Sequence, residues 1–156
     1  MKELKVKEIM EKDIKTIGPD ESVKTLADRF IKEKIGGLPV VDDKGDMVGI
    51  VTEADLIVQD ARIHFPTYIH LLDGFIYLPS SVTRFDREFK KALGATVKDI
   101  MTMEVITATE DQTVEDAATL MMDKGISRVP IVNKSGRLLG IVTKRDIVRV
   151  ISKISS

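Results

Sequence analysis

The sequence contains one unit twice. Residues 6–57 align without a gap on residues 97–148, at a constant offset of 91 residues. Identical residues recur in register at Met10 and Met101, Thr16 and Thr107, Val23 and Val114, Ala27 and Ala118, Ile35 and Ile126, Pro39 and Pro130, and Gly45 and Gly136. Self-similarity of this kind indicates a duplicated structural unit. A unit of about 55 residues buries little surface alone, so we expect the two copies to pack as one pseudo-symmetric body.

Each copy predicts the element order β-α-β-β-α, which places the chain in the α/β (α+β) class. The first strand is a short β-rich run, and the helix after it has a candidate N-cap, Ser22 or Thr113, before apolar residues at helical spacing. Two strand-like runs follow, joined by DDKGD or NKSGR, where glycine supplies the positive φ of a hairpin. A second helix begins at Thr52 or Thr143. The predicted first strands are Ile14–Ile17 and Val105–Ala108.

Between the copies lies an insert of different composition. We divide the chain into residues 1–60, a 61–95 insert and residues 96–156. The insert contains most of the aromatic residues and both histidines. IHFPTYIHLLDGF is expected to lengthen or follow the second helix, and FDREFKKALG to form a short helix ended by Gly94. His64 and His70 would lie about 240° apart on a helix, so no metal site is predicted. The aromatic residues are expected to cover the module or to contact a second subunit.

Composition excludes several classes of function. The chain has no cysteine, hence no disulfide, thiol nucleophile or cysteine-ligated metal. No apolar run approaches membrane-spanning length, and the charged start MKELKVKEIM lacks the apolar core of a signal peptide. We therefore expect a soluble cytoplasmic protein. The sequence has no Walker-type motif and no Ser-His-Asp arrangement of recognisable spacing, so catalysis is not expected.

The formal net charge of −1 hides a basic C-terminal segment. Residues 124–156 contain eight lysines and arginines against the single Asp146. Such a segment can serve an anionic ligand, a nucleic acid or an acidic partner, and it can equally be a solvated face. Stacking of single-stranded nucleic acid is disfavoured because the segment has no aromatic residue.

One seven-residue motif occurs in both copies, as GIVTEAD at 49–55 and GIVTKRD at 140–146. It describes a strand that turns directly into a helix. Thr52 with Asp55, and Thr143 with Asp146, fit a capping box, in which the acidic side chain satisfies the helix start. The same residues could instead bind a ligand, with the helix start holding a phosphate and the aspartate accepting hydrogen bonds from ribose hydroxyls. Spacing alone favours the helix cap.

The chain resembles the tandem cystathionine β-synthase (CBS) domain pair, or Bateman module. The resemblance rests on the VKEIM and VKDIM openings, on IGGLPVVDDKGDMVGIVTEAD and on ISRVPIVNKSGRLLGIVTKRD. It implies two units joined face to face across a pseudo-twofold axis. It also implies clefts between the units that bind AMP, ADP, ATP or S-adenosylmethionine as effectors, with no required cofactor, and pairing of two chains into a disc of four units.

Charge distinguishes the two predicted clefts. One has Thr143, Asp146, Lys144, Arg145 and Arg128 for ribose and phosphate. The other has Thr52 and Asp55, with Glu53, Ala54 and Gly37 at the positions that are basic in the second copy. An acidic neighbour disfavours a polyphosphate, so the cleft of Asp146 is predicted to accept phosphate. The cleft of Asp55 is predicted to take a less anionic ligand or to stay empty.

The adenine slots follow from the resemblance. An apolar slot with accessible backbone groups suits a base, and glycine lets a ligand approach the backbone. Core packing is an equal alternative for the two isoleucines at 35 and 126. Opposite Asp146 the slot would comprise Met10, Ile14, Lys15, Ile35, Gly36, Gly37 and Pro39. Opposite Asp55 it would comprise Met101, Ile106, Ile126, Ser127 and Pro130.

The sequence therefore predicts a ligand-sensing regulatory module. It would bind an adenine nucleotide, form a homodimer and act on an enzyme or transporter that the sequence does not name. The alternative is a constitutive interaction scaffold whose nucleotide sites are non-functional. Membrane association is not expected, and nucleic-acid binding is disfavoured.

Overall fold

Each sequence repeat folds into a helix, a β-hairpin and a second helix. The computed structural model describes residues 3–60, 68–71, 74–77 and 95–154. Its helices are a 3-10 turn at Val6–Glu8, α1 (Val23–Glu33), α2 (Glu53–Asp60), α3 (Val97–Ile100), α4 (Val114–Lys124) and α5 (Lys144–Ile154). Its strands are β1 (Gly37–Val41), β2 (Met47–Thr52), β3 (Tyr68–Leu71), β4 (Gly74–Tyr77), β5 (Ala108–Thr109), β6 (Arg128–Val132) and β7 (Leu138–Thr143). The predicted mixed α/β class is confirmed. Within these ranges no helix combines the length and apolarity needed to cross a membrane.

The two long hairpins have matching registers. β1 pairs antiparallel with β2, and β6 pairs with β7 in the same way, each with a register shift at its fourth residue pair. Gly45 and Gly136 have φ values of 84° and 81° at the turns, as predicted for residues that must adopt the left-handed region. The side chains of Asp42 and Asn133 accept backbone hydrogen bonds within the turns. The repeat thus preserves the turn chemistry as well as the strands.

The first helices begin where the sequence predicts. The Ser22 hydroxyl accepts a hydrogen bond from Thr25 N at 3.0 Å, and the Thr113 hydroxyl accepts one from Asp116 N at 3.0 Å. These side chains satisfy amides that a helix start otherwise leaves unpaired. The apolar stripes face inward, and the buried residues are Val23, Leu26 and Phe30 in α1 and Ala117 and Met121 in α4.

The predicted first strands are much shorter in the structure. Only the end of each run pairs with the hairpin. In the second copy, β5 is parallel to β6 and covers Ala108 and Thr109. In the first copy, Ile17 forms a single parallel bridge with Val40. Ile17 and Ala108 are buried. In each copy, the one buried residue at the end of the run is therefore the residue that pairs with the hairpin.

The helical interpretation of the insert is wrong for its described part. Strands β3 and β4 pair antiparallel, with Tyr68 opposite Tyr77 and His70 opposite Phe75. Aromatic and β-branched residues favour strands, and YIHL and GFIY are rich in them. His64 and FDREFKKALG lie outside the described residues.

The opening turn of each copy packs into the other copy. Val6 is fully buried in a cluster with Ala117, Val129 and other residues of the second copy. Val97 is fully buried in a cluster with Leu26, Val40 and other residues of the first copy. Burying one such side chain stabilises the fold by about 1.5–3 kcal/mol. The sequence repeat and the packed unit are therefore not the same set of residues.

Backbone and methionine contacts continue this exchange. Glu11 and Ile141 exchange two backbone hydrogen bonds of 2.9 and 3.0 Å, and Thr102 and Ile50 exchange two of 2.9 Å. Beside these bridges a methionine sulfur lies over a glycine of the other copy. A Cβ on Gly140 would lie 2.6 Å from Sδ of Met10, and a Cβ on Gly49 would lie 2.7 Å from Sδ of Met101. The pairs Met10–Gly140 and Met101–Gly49 therefore join the two copies.

Gly140→Ala is expected to destabilise the protein by about 1–3 kcal/mol, since the added methyl overpacks a contact between the copies. The methyl would also lie 3.0 Å from the Glu11 carbonyl oxygen, which is backbone and cannot rotate away. Urea denaturation measures the effect. Gly18→Ala is the matched control, because its nearest neighbour would be 3.7 Å away, and it should change stability by less than about 0.5 kcal/mol. Equal stabilities for the two variants would contradict the packing argument.

Candidate ligand-binding clefts

The two Thr-Asp pairs adopt the same local structure at the start of α2 and α5. Asp146 Oδ2 accepts hydrogen bonds from Thr143 N at 2.8 Å and from its hydroxyl at 2.9 Å. Asp55 Oδ2 accepts the corresponding bonds from Thr52 at 2.7 and 3.3 Å. Each aspartate therefore makes its half of a capping box, the bond to the backbone N–H of the threonine that precedes the helix. Whether it also binds a ligand depends on what surrounds it.

Thr143 and Asp146 lie in a cleft of about 540 Å³ between the two copies, which we call the basic cleft. Its cations outnumber its carboxylates, so an anion is favoured there. The predicted residues that line it are Lys15, Ile35, Gly36, Gly37, Arg128, Thr143, Lys144, Arg145 and Asp146. Ser127, predicted for the other slot, lines it as well.

Thr52 and Asp55 lie in a second cleft of about 310 Å³, which we call the smaller cleft. The predicted residues that line it are Thr52, Asp55, Ile106, Ile126, Ser127 and Arg128. Its carboxylates are Asp55 and Glu104, and Arg128 is its one cation among the described residues. Its charge is thus opposite to that of the basic cleft.

Five residues predicted for the adenine slots line neither cleft. Pro39 and Pro130 are fully buried in β1 and β6. Met10 and Met101 are half-buried and pack against the two cores and the glycines of the opposite copies. Ile14 is half-buried outside both linings. The structure gives these residues packing positions, and their contact with a base stays a prediction.

Arg128 extends across the boundary between the clefts and lines both. Its guanidinium covers Gly36 and Gly37, where a Cβ on Gly37 would lie 2.7 Å from Cζ of the arginine. The space beside Gly37 is thus filled by this side chain. Burial lowers the pKa of Arg128, and the nearby Glu53 carboxylate acts in the opposite direction. Nε of Arg128 is buried and has no hydrogen-bond partner.

Sequence reasoning missed Glu11, Asp13, Lys34, Leu38 and Ile141 in the basic cleft. Lys34 could have been found from the repeat, because the offset pairs it with Gly125. Gly125 ends α4 with φ of 64°, and Lys34 ends α1 with φ of 53°. Among the described non-glycine residues, Lys34 is the one with positive φ. A non-glycine residue in this conformation costs about 1–2 kcal/mol, and Lys34 also lines the basic cleft.

In the smaller cleft, one residue that sequence reasoning missed is Glu104. The repeat offset pairs Glu104 with Asp13, which lines the basic cleft. Both carboxylates come from the segments that follow the opening turns, at the same repeat position in the two clefts. No group of three or more His, Cys, Asp or Glu that could hold a metal ion occurs in the described part of the chain.

Comparison with known proteins agrees with the duplicated architecture. The sequence profile of the CBS domain matches residues 6–61 and 97–153. The chain belongs to the CBS domain family. An uncharacterised protein of Methanocaldococcus jannaschii, MJ1426, is 34% identical over 152 residues, which cover 94% of this chain and 90% of that protein. The chloroplastic CBS domain-containing protein CBSX2 of Arabidopsis thaliana is 28% identical over 91% of this chain and 60% of its own length.

Solved CBS pairs share the fold. The crystal structure of CBSX2 in complex with AMP has a TM-score of 0.74 at 26% identity, covering 98% of this chain and 99% of that one. The CBS pair of MJ0100 in complex with 5′-methylthioadenosine and S-adenosyl-L-methionine has the same TM-score and coverage at 31% identity. The module also occurs inside larger proteins. This chain matches 23% of the inosine-5′-monophosphate dehydrogenase of M. jannaschii at 33% identity.

Lys34→Gly is expected to raise the free energy of unfolding by about 1 kcal/mol, because it removes the cost of a left-handed non-glycine residue. It should also weaken the binding of an anionic ligand in the basic cleft, with AMP as the probe, since a cation of that cleft is lost. Denaturation and calorimetry measure the two effects. Lys32→Ala, an exposed α1 lysine outside both linings, is the control and should leave AMP affinity unchanged. If Lys34→Gly kept both wild-type stability and wild-type AMP affinity, Lys34 would be neither a strained residue nor a ligand-binding cation of the basic cleft.

Proposed function

We propose that this chain is a regulatory module that binds adenosine-containing ligands in the clefts between its two CBS units. The observation that carries the proposal is the basic cleft, to which both units contribute and where Thr143 and Asp146 lie among cations. The AMP complex of CBSX2 and the nucleoside complexes of MJ0100 support the ligand class. The units are residues 1–60 and 96–156, with 61–95 as the insert, and the site of action is the cytoplasm.

In the basic cleft, phosphate interacts with Lys144, Arg145 and Arg128. Arg128 is half-buried, and in such a place the attraction between opposite charges is several times stronger than in bulk solvent, whereas Lys144 and Arg145 are exposed. The first two belong to the first turn of α5, whose N-terminal dipole also favours an anion. AMP, ADP and ATP are therefore the ligand class of this cleft.

The nucleoside part of the ligand contacts both units, the ribose through the second unit and the base through the first. Asp146 accepts hydrogen bonds from the ribose hydroxyls, which replace or share the bonds that Thr143 now donates. The base lies against Ile35 and Gly36, which belong to the segment between α1 and β1. One ligand then contacts both units at once.

The smaller cleft suits a less anionic ligand. Asp55 provides the same ribose contact there, while Glu104 repels phosphate. A neutral nucleoside or S-adenosylmethionine, which carries a positive sulfonium, avoids this repulsion. The two clefts thus distinguish adenosine compounds by charge.

Ligand binding would act on the relative orientation of the units. A ligand shifts such an equilibrium only by its differential affinity for the two orientations. Contacts from one ligand to α5 and to the segment before β1 supply that difference. An enzyme or transporter that contacts both units would respond to the shift, and no catalytic step is assigned to this chain.

A second candidate is a constitutive scaffold whose nucleotide sites are non-functional. Exposed apolar residues at matching repeat positions favour protein contacts. Ile31 and Met122 on the first helices are each 81% exposed, and Ile57 and Val148 on the second helices are 66% and 63% exposed. Pairing with a second copy through these helices would cover them in either candidate, so a homodimer is part of the proposal.

Titration calorimetry with AMP, ATP and S-adenosylmethionine tests the ligand assignment. Asp146→Ala should weaken AMP binding by about 10- to 100-fold, because a hydrogen-bonded charged group contributes about 1.5–3 kcal/mol. Asp55→Ala should weaken AMP binding less. Asp116→Ala is the matched control, since Asp116 makes the same type of hydrogen bond to Thr113 N, at 2.9 Å, outside both clefts. Absence of binding below millimolar concentration for all three ligands would refute the sensor and leave the scaffold.

Sedimentation or size-exclusion measurement tests the dimer. The wild type should behave as two chains, and Ile57→Asp combined with Val148→Asp should convert it to one, because the charges cannot be buried in an interface without a partner. Met103→Asp is the control, at an exposed methionine outside the helices. A wild-type protein that is monomeric at all concentrations would exclude the dimer.

A further inference from the structure

We propose that Arg128 is a single cation shared by the two clefts, so that a phosphate-bearing ligand in the basic cleft weakens anion binding in the smaller cleft. This inference rests on the proposed function, because it concerns how the two nucleotide sites regulate each other. The proposed function gives the two clefts a fixed difference in charge. Here the positive charge available to the smaller cleft would depend on whether a ligand occupies the basic cleft.

The position of Arg128 is the first argument. The repeat offset pairs Arg128 with Gly37, and in the structure these two residues are in contact across the boundary between the copies. Two positions related by the repeat can meet only near the pseudo-twofold axis. An arginine at both would compete for the same space. The chain therefore has one guanidinium at a place that both clefts reach.

The hydrogen bonding of Arg128 is the second argument. Nε is buried without a partner, and the bond from Nη2 to the Ser127 hydroxyl is long, at 3.4 Å. A buried donor without a partner is destabilising, because it has lost its hydrogen bonds to water and gained none in the protein. A phosphate in either cleft offers better acceptors, and charge-assisted hydrogen bonds to phosphate are among the strongest that arginine makes. The guanidinium is thus under-satisfied before a ligand binds.

The surroundings of Arg128 are the third argument. The basic cleft has four further cations at its lining, Lys15, Lys34, Lys144 and Arg145. The smaller cleft has none among the residues that the structure describes, so when Arg128 turns to the basic cleft, Asp55 and Glu104 are left without a compensating charge. A second phosphate is then repelled, while a neutral or cationic nucleoside is not. Glu53 lies near Gly36 and attracts the arginine from the first unit.

The coupling is measured by calorimetry with AMP. Asp55→Ala and Asp146→Ala each weaken one cleft and leave the other intact, so a two-site titration of each variant gives the intrinsic AMP affinity of the intact basic cleft and the intact smaller cleft, respectively. The coupling factor is the AMP affinity of the smaller cleft in Asp146→Ala divided by the affinity of the wild type for its second AMP. We expect a factor of about 10, within the usual range for coupled sites. With adenosine, which carries no phosphate, the factor should be near 1.

Two variants locate the coupling. In Arg128→Met the AMP factor should fall to near 1, while the basic cleft still binds AMP with its remaining cations. Lys144→Met, which removes a cation of the basic cleft alone, should weaken the first AMP and keep the factor. The proposal that the two clefts share Arg128 would be overturned by a wild-type coupling factor near 1 or by a factor that persists in Arg128→Met. It would also be overturned if AMP did not bind the smaller cleft in Asp146→Ala. In each of these cases AMP binding to the basic cleft still supports the proposed function, whereas no AMP binding at all refutes both.

Discussion

The structure depends on an exchange of opening turns between the two copies. Val6 completes the core of the second copy, and Val97 completes the core of the first. Each valine is fully buried, so neither core is complete without the other copy. The methionines that follow, Met10 and Met101, lie on glycines of the opposite copies. Two units, each small enough to be marginally stable alone, thereby share their cores in one folded body.

The clefts are a consequence of this exchange. Because the segment after each opening turn crosses to the other copy, its carboxylates line a cleft whose Thr-Asp pair comes from that other copy. Asp13 lies with Asp146, and Glu104 lies with Asp55. Under the proposed function, a ligand between them would contact both halves of the chain and would thereby act on the relative orientation of the units.

The two interpretations of the Thr-Asp pairs turn out to be compatible. Asp146 and Asp55 make the hydrogen bonds of a helix cap, and both line a cleft. The capping bonds hold each carboxylate in one position, so under the proposed function they would reduce the ordering cost of ligand binding. What differs between the copies is the adjacent charge. Lys144 and Arg145 in one copy correspond to Glu53 and Ala54 in the other.

The local features could be read from the sequence because nearest neighbours determine them. The N-caps Ser22 and Thr113, the hairpin glycines and the strands of both hairpins follow from short-range spacing and turn chemistry. The first strands were overestimated, since their length depends on which positions a distant hairpin covers. The described part of the insert was assigned to helix although its residues favour strands.

The sequence by itself determined the duplication, the two hairpins and the opposite charges of the two Thr-Asp motifs, because these properties belong to contiguous residues. Only the tertiary structure decided that the opening turns exchange cores, that Met10 and Met101 face glycines, and that Arg128 covers Gly37 and lines both clefts. These features join residues that lie far apart in the sequence, such as Gly49 with Met101 and Met10 with Gly140, and they depend on how the copies meet. No periodicity or local propensity encodes which side chain occupies the shared space at a pseudo-twofold axis.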